Sequence, residues 1–275
     1  MPPFAIALAL SSALIHASWN AVLKGGTDRI VDALLIAVGG IITGGAIILI
    51  VGAPGPQTWP FLALSVAIHL CYWTVLFKAY DSGDLSHVYT LSRGSAPLLV
   101  AIGAALFAHE IPAPLKALGV ACISLGVLLV GFSPRASLKA TGWALAIGLC
   151  IGGYSLVDAM GARTSNAPLY LGWTTLLMSI PMIAFAFARR GPKLWGQAMA
   201  APWRGLAVGV ISFVGYGLVL WAQTFAPIAQ TTALRETSVV FGALIAFVFL
   251  HERLGARRWA GAIIVASGAA LIAFG

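Results

Sequence analysis

Residues Arg93 to Phe132 read RGSAPLLVAIGAALFAHEIPAPLKALGVACISLGVLLVGF, and residues Arg235 to Phe274 read RETSVVFGALIAFVFLHERLGARRWAGAIIVASGAALIAF. At this offset of 142 residues Arg93 aligns with Arg235, Phe107 with Phe249, and His109-Glu110 with His251-Glu252. Gly119 aligns with Gly261, Gly126 with Gly268 and Phe132 with Phe274. Each copy is an apolar run opened by one arginine, a polar turn carrying His-Glu, and a second apolar run bearing glycines. Two copies of a two-span hairpin, one in each half of the chain, describe a duplicated membrane protein.

The composition agrees. Hydrophobic residues make up 60% and charged residues 9% of the chain, with a mean hydropathy of +0.96. One soluble core could not hide so much apolar surface. The net charge of +8, from 16 basic and 8 acidic residues, is spread singly or in short clusters between apolar runs. That is the pattern of membrane-flanking loops, and it argues against a nucleic-acid partner.

Ten apolar segments of bilayer-crossing length follow one another, at about 4–23, 30–51, 59–80, 86–107, 114–132, 140–161, 168–188, 203–224, 229–250 and 256–274. Short breaks rich in Gly, Pro, Asp and Asn separate them. The first run has no basic leader and is too long for a signal-peptide core, so it is expected to be retained. The expected fold is therefore an all-α integral membrane protein of ten transmembrane helices. Residues 1–134 form the first five-helix repeat and 135–275 the second. Because five is odd, the second repeat enters from the opposite face, and the repeats are inverted. Exchanging the conformations of two inverted halves turns an outward opening into an inward one, which serves transport.

Basic residues crowd the loops after odd-numbered spans (Lys24, Arg29, Lys78, Arg135, Lys139, Arg189, Arg190, Lys193, Arg204, Arg253, Arg257, Arg258), while the other loops hold only Lys116 and Arg163. This bias puts the first set in the cytoplasm and both termini outside. Cys71, Cys122 and Cys150 lie far apart in apolar runs without metal-ligand spacing, and read as small core residues. No GxxxxGK[ST], HExxH or GxSxG motif is present, so ATP-driven or hydrolytic chemistry lacks support. No cofactor or metal is expected, and no enzymatic activity.

Several polar residues sit where burial needs a reason. Arg93 and Arg235 lie within apolar spans, where an arginine costs ~2.5–3.5 kcal/mol on insertion scales. Each either holds a substrate carboxylate or phosphate through its planar fork, or snorkels or pairs with Asp158 or Glu236. Asp158 lies one turn after Tyr154, on the same face of the sixth span, and can meet a substrate amine or an arginine. His16, Trp19 and Asn20 share a face of the first span and point into the bundle, toward substrate or a neighbouring helix. Tyr80, Tyr89 (one turn before Arg93) and Tyr216 add aromatic surface. Trp59, Trp143, Trp195, Trp203 and Trp259 flank spans and are assigned to the interfacial belt. Glu110 and Glu252 each close a span ahead of a new helix, where a carboxylate caps free N–H groups.

The doubled Glu-turn-glycine pattern, FAHEIPAPLKALGVACISLGVLL and FLHERLGARRWAGAIIVASGAAL, resembles the EamA-type, ten-helix branch of the drug/metabolite transporter superfamily. Ser18-Trp19-Asn20 and the stretch AYDSGDLSHVYTLSRGSAP (Ala79–Pro97) carry the same likeness. The resemblance implies a secondary transporter of small organic metabolites in a bacterial inner membrane. Related proteins export amino acids, aromatic ones among them, carry phosphorylated sugars or expel cationic drugs. The small drug exporters depend on a glutamate in the first span; this chain has His16 and Asn20 there and no acid. Buried arginine for a carboxylate, Asp158 for an amine and aromatic walls for a side chain favour amino-acid export. A carrier of phosphorylated or phosphonate metabolites is the alternative, and an intramembrane enzyme or structural membrane protein the alternative of another class. Expected partners are the small-molecule substrate and membrane lipids, with a monomeric or weakly oligomeric protein. The cavity is expected between spans one, three, four, six, eight and nine, with five and ten as scaffold.

Overall fold

The computed structural model describes residues 1–24, 28–80, 85–131, 136–200, 202–248, 251 and 255–275. Twelve α-helices and one 3-10 turn account for the order of the chain: α1 (Pro3–Lys24), α2 (Arg29–Val51), the 3-10 turn Pro56–Thr58, α3 (Trp59–Tyr80), α4 (Leu85–Phe107), α5 (Pro114–Gly131), α6 (Leu138–Arg163), α7 (Ala167–Arg190), α8 (Lys193–Met199), α9 (Pro202–Phe225), α10 (Ile228–Arg235), α11 (Ser238–Val248) and α12 (Ala256–Phe274). Ten segments are long and apolar enough to cross a membrane, as the hydropathy pattern requires. Polar residues set their ends: Asp28 accepts the Ile30 and Val31 N–H groups at the start of α2, and Asn166 accepts that of Leu169 at the start of α7.

The halves meet as an inverted pair. At α5 and α12 a Cβ on Gly119 would fall 2.8 Å from the Gly268 carbonyl oxygen, and one on Gly268 2.6 Å from that of Gly119. Gly126 and Gly261 oppose each other in the same way, each 2.7 Å from the other's carbonyl oxygen. Residue numbers rise along one helix as they fall along the other, so the helices run antiparallel. Swapping each glycine for its counterpart 142 positions away maps the contact onto itself. An antiparallel pair with that symmetry has its two-fold axis across the helices, hence in the plane of a membrane. Only glycine permits backbones this close. Elsewhere α6 packs on α3 and α4, while α1 packs on α9 and on α10 and α11. His109 and His251, at matching positions, share the left-handed conformation, with φ of 55° and 52°.

Two features depart from the hydropathy reading. A short helix, α8, lies between the seventh and eighth spans and turns Leu194 and Ala198 inward. The ninth span is broken into α10 and α11, although it holds no proline. At the break the Glu236 and Thr237 N–H groups bond three residues back, to Ala233 and Leu234, and the Thr237 hydroxyl also donates to the Leu234 carbonyl, at 2.7 Å. Hydroxyl competition of this kind tightens the turn and ends the regular ladder. The equivalent fourth span stays helical throughout, with Pro97 inside it. Irregular backbone at such depth is tolerated where protein surrounds it, and Ile228 through Leu234 of α10 are all buried.

Of the tryptophans assigned to the belt, Trp203 is 81% exposed and Trp59, Trp195 and Trp259 are well exposed. Trp143 instead packs on the Ala79–Val88–Ala140 cluster, and its indole nitrogen is buried without a hydrogen-bond partner among the described residues. Cys71 and Cys150, distant in sequence, face each other across α3 and α6 with sulfurs 3.9 Å apart.

Candidate functional site

The first span is pinned to the eighth by Ser12, whose hydroxyl donates to the Gly215 carbonyl at 2.5 Å. One turn on, His16 is buried, 5% exposed. The Arg93 Nη2 group donates to its Nε2 at 2.8 Å, and Arg235 Nη2 lies 3.4 Å from its Nδ1. The two repeat-related arginines thus meet over one imidazole. Arg93 also reaches Glu236 Oε1 at 3.1 Å, a bridge between the halves in which Glu236 is almost wholly enclosed. Its guanidinium lies over the Tyr89 ring, 5.8 Å from the centroid.

Arg235 is placed differently. It ends α10, where a cation suits the helix dipole, and lies 5.4 Å over the Tyr216 ring. Its Nε is buried, with no hydrogen-bond partner among the described residues. Glu236, adjacent in sequence, points away from it and serves Arg93.

Asp158 is fully buried. Tyr216 donates to one carboxylate oxygen at 2.5 Å and Tyr170 to the other at 3.0 Å. Each oxygen thus accepts one tyrosine hydroxyl, and Asp158 itself borders neither of the two cavities beside His16. The offset of 142 residues also relates Asp158 to His16, so the inverted repeats bring an acid and an imidazole to the same position. Tyr154 stacks on His69 with centroids 4.0 Å apart, and Tyr72 meets Tyr154 edge-on.

Two cavities flank His16. One, of about 270 Å³, is bounded by His16 and Trp19 of α1, His69 and Trp73 of α3, Thr174 and Ser179 of α7, Ser212 and Tyr216 of α9, and Arg235. The other, of about 330 Å³, is bounded by His16, Asn20, Tyr89, Ser238 and Arg258 together with apolar residues of α5 and α11. Trp19 meets His16 edge-on, and Asn20 donates to the His16 carbonyl at 2.7 Å.

Among the residues singled out from sequence, His16, Trp19, Tyr216 and Arg235 border the first cavity, and Asn20 and Tyr89 the second. Arg93, Asp158 and Tyr154 border neither cavity but contact residues that do: Arg93 meets His16, Asp158 accepts from Tyr216, and Tyr154 stacks on His69. The side chain of Tyr80 lies outside the described residues, as does Glu252. The lining also differs from expectation. The seventh span contributes Thr174, Thr175 and Ser179, a hydroxyl face spaced at i, i+1 and i+5 that could have been marked in the sequence. The fifth and tenth spans contribute Val127, Val130 and Arg258 to the second cavity, besides their scaffold contact.

Glu110 caps a helix, but not the one that follows it. Its Oε2 accepts the N–H of Ile228, the first residue of α10, at 2.7 Å, and its Oε1 pairs with Arg163 at 2.7 Å. Arg163 in turn donates to the Gln223 and Ala226 carbonyls at the end of α9, at 2.8 and 2.9 Å. This knot ties the first half to the second on the membrane face away from the basic loops. Across the molecule, Asp28 pairs with Arg190 at 2.8 Å.

Comparison with known proteins agrees with this architecture. No curated protein matches the chain. A solved structure described only as the crystal structure of a protein superposes with a TM-score of 0.76 at 17% identity, covering 98% of each chain; at that identity the likeness concerns the fold alone. Residues 138–274 match the EamA-like transporter family. The second half of this ten-span chain is thus similar to an EamA-like transporter domain.

Proposed function

We propose that the protein is a secondary transporter that exports small organic metabolites, amino acids first among them, across the bacterial inner membrane by alternating access. Residues 1–134 and 135–275 act as the two exchangeable halves, in a monomer or weak oligomer. The observation that carries this reading is the cavity beside the broken ninth span. Residues of both halves line it, and it combines the Arg235 guanidinium with aromatic, thioether and hydroxyl walls. Discontinuous helices at the junction of inverted repeats are where secondary transporters hold their cargo. A volume of about 270 Å³ suits cargo below drug size. The two cavities on either side of His16 offer a path that one repeat closes as the other opens.

The phosphorylated-metabolite alternative would call on both arginines. Arg93 is already neutralised by Glu236, which leaves one guanidinium for the cargo and favours a singly charged group. Proteoliposomes loaded with labelled amino acids, phosphorylated metabolites and cationic dyes test the reading. Saturable flux is expected for amino acids bearing apolar or aromatic side chains. Flux of phosphorylated metabolites alone would replace the reading with its alternative, and flux of none would remove transport by this chain alone.

A further inference from the structure

Hydrogen-bond donors and acceptors do not balance around His16. Guanidinium groups only donate, so each arginine contacting the imidazole needs a ring lone pair. A neutral imidazole has one such nitrogen, and a protonated one has none. The 2.8 Å contact from Arg93 assigns that lone pair to Nε2, against 3.4 Å for Arg235 at Nδ1. The ring proton is then on Nδ1, where it faces the Arg235 guanidinium. Two donors confront each other there, beside an Arg235 Nε that is buried and unpartnered. Three N–H groups on His16 and Arg235, two residues that border the cavity, thus lie together with no acceptor between them among the described residues.

Asp158 does not supply that acceptor. It accepts from Tyr216 and Tyr170, and among the described residues no hydrogen bond or ion pair joins it to His16 or Arg235. Glu236 is committed to Arg93. The same cavity is lined by Trp19, Trp73, Phe213 and the thioethers of Met178 and Met182.

We infer that this corner of the cavity is a monoanion subsite, in which the Nε–Nη2 edge of Arg235 and the Nδ1–H of His16 together hold one carboxylate of an apolar or aromatic organic acid, amino acids included. The inference rests on the transport reading for the site's role and deepens it in two respects. The amino group of the cargo is dispensable for binding, because the buried acid borders neither cavity and is held by two tyrosines. Arg93 is a positioning residue: it takes the Nε2 lone pair and thereby fixes the imidazole tautomer that presents a donor to the cargo.

Ligand-induced shifts in thermal unfolding of the purified protein test it, with 3-phenylpropionate, phenylalanine, phenethylamine and phenyl phosphate as probes. Phenylpropionate and phenylalanine are expected to bind within about threefold of each other, with phenethylamine and the phosphate about tenfold weaker or worse. Arg235→Lys, which keeps the charge and loses the fork, should weaken both carboxylates about tenfold. His16→Gln retains an acceptor for Arg93 and a donor for the ligand and should bind detectably. His16→Glu retains only the acceptor and should not. Tighter binding of phenethylamine, tighter binding of phenyl phosphate, or equal carboxylate binding by the two His16 variants would each overturn the subsite. The wild-type panel and the His16 pair decide the matter even if Arg235→Lys is not recovered folded. Amino-acid flux in proteoliposomes without phenylpropionate binding would sink the subsite and spare the transport reading. Carboxylate binding with no flux would do the reverse.

Discussion

Arg93 and Arg235 occupy the same register of the two repeats, and their surroundings differ in almost every respect that matters to a buried cation. Arg93 sits in an unbroken helix, with Glu236 at 3.1 Å and the His16 lone pair at 2.8 Å. Arg235 ends a half-helix, has no acidic partner among the described residues, and keeps a buried Nε without an acceptor. Duplication supplied two identical charges, and a single acid decided their roles. A compensated guanidinium contributes to structure, because removing it strands a buried carboxylate. An uncompensated one is poised for an external anion. Inverted repeats thus provide a symmetric frame, within which the loss of symmetry singles out the position proposed to bind cargo.

The contrast can be broken most forcefully at Arg93. Arg93→Met leaves Glu236 charged, enclosed and unpaired, and should cost about 3–5 kcal/mol. Adding Glu236→Met should recover most of that loss. Arg235→Met has no such orphan to create and should change stability by about 1 kcal/mol or less while transport is lost. Unfolding midpoints of the three variants in one detergent measure the difference; equal destabilisation by the two arginine changes would erase the distinction between them.

A somewhat smaller effect is expected at the symmetric contact. Gly126→Val places carbon atoms against the Gly261 carbonyl and the Val265 side chain, each 2.7 Å from a Cβ. Overpacking of this kind should cost about 1–3 kcal/mol. Gly142, with nothing within 4 Å of its Cβ position, lies inside α6 and should gain a few tenths of a kcal/mol, up to about 1, on substitution by Ala. Thermal unfolding of both variants separates a glycine kept for helix approach from one that is not.

Glu110→Gln sharpens the comparison on the far face. The amide oxygen can still accept the Ile228 N–H, but the charge that holds Arg163 is gone. With the pair 29% and 23% exposed, solvent screening limits the loss to about 1 kcal/mol. The expected readout is conformational: a cysteine at Gln223, in a background lacking the native cysteines, should react faster with a water-soluble thiol reagent in the Gln variant. An unchanged rate would mean the knot holds structure without gating that face.

The smallest effect is expected at Asp28. Partial burial pushes its carboxyl up, but N–H bonds from Val31 and Ile30 and the pairing with Arg190 outweigh this, and its pKa lies below the ordinary 3.8. A depressed carboxyl contributes stability above its unfolded value and loses it as pH falls through the folded one. The gap in unfolding midpoint between the native chain and Arg190→Gln should therefore be present at neutral pH and close below a pH of about 4. Added salt should shrink it, since the pair is exposed.

Much of this molecule could be read without coordinates. Span length, the 142-residue offset and the odd number of helices per repeat require an inverted bundle, because hydropathy and backbone satisfaction in lipid leave little choice of structure. The glycines of the fifth and tenth spans were legible for the same reason, since close helix approach has few chemical solutions. The break after Arg235 was less so. Its signal is four consecutive polar residues, Arg235-Glu236-Thr237-Ser238, in mid-span, whereas the proline that normally marks such a break is in the fourth span, which stays whole.

Sequence alone determined that two arginines lie at depth, that an acid stands next to one of them, and that His16 faces inward. Only the tertiary structure decided that Glu236 belongs to Arg93, 143 residues away, and that Asp158 is taken by two tyrosines. Neighbours along a helix point about 100° apart and do not pair, so a buried charge takes its partner from another helix. That choice depends on how the spans of the two halves pack together, which local sequence does not record.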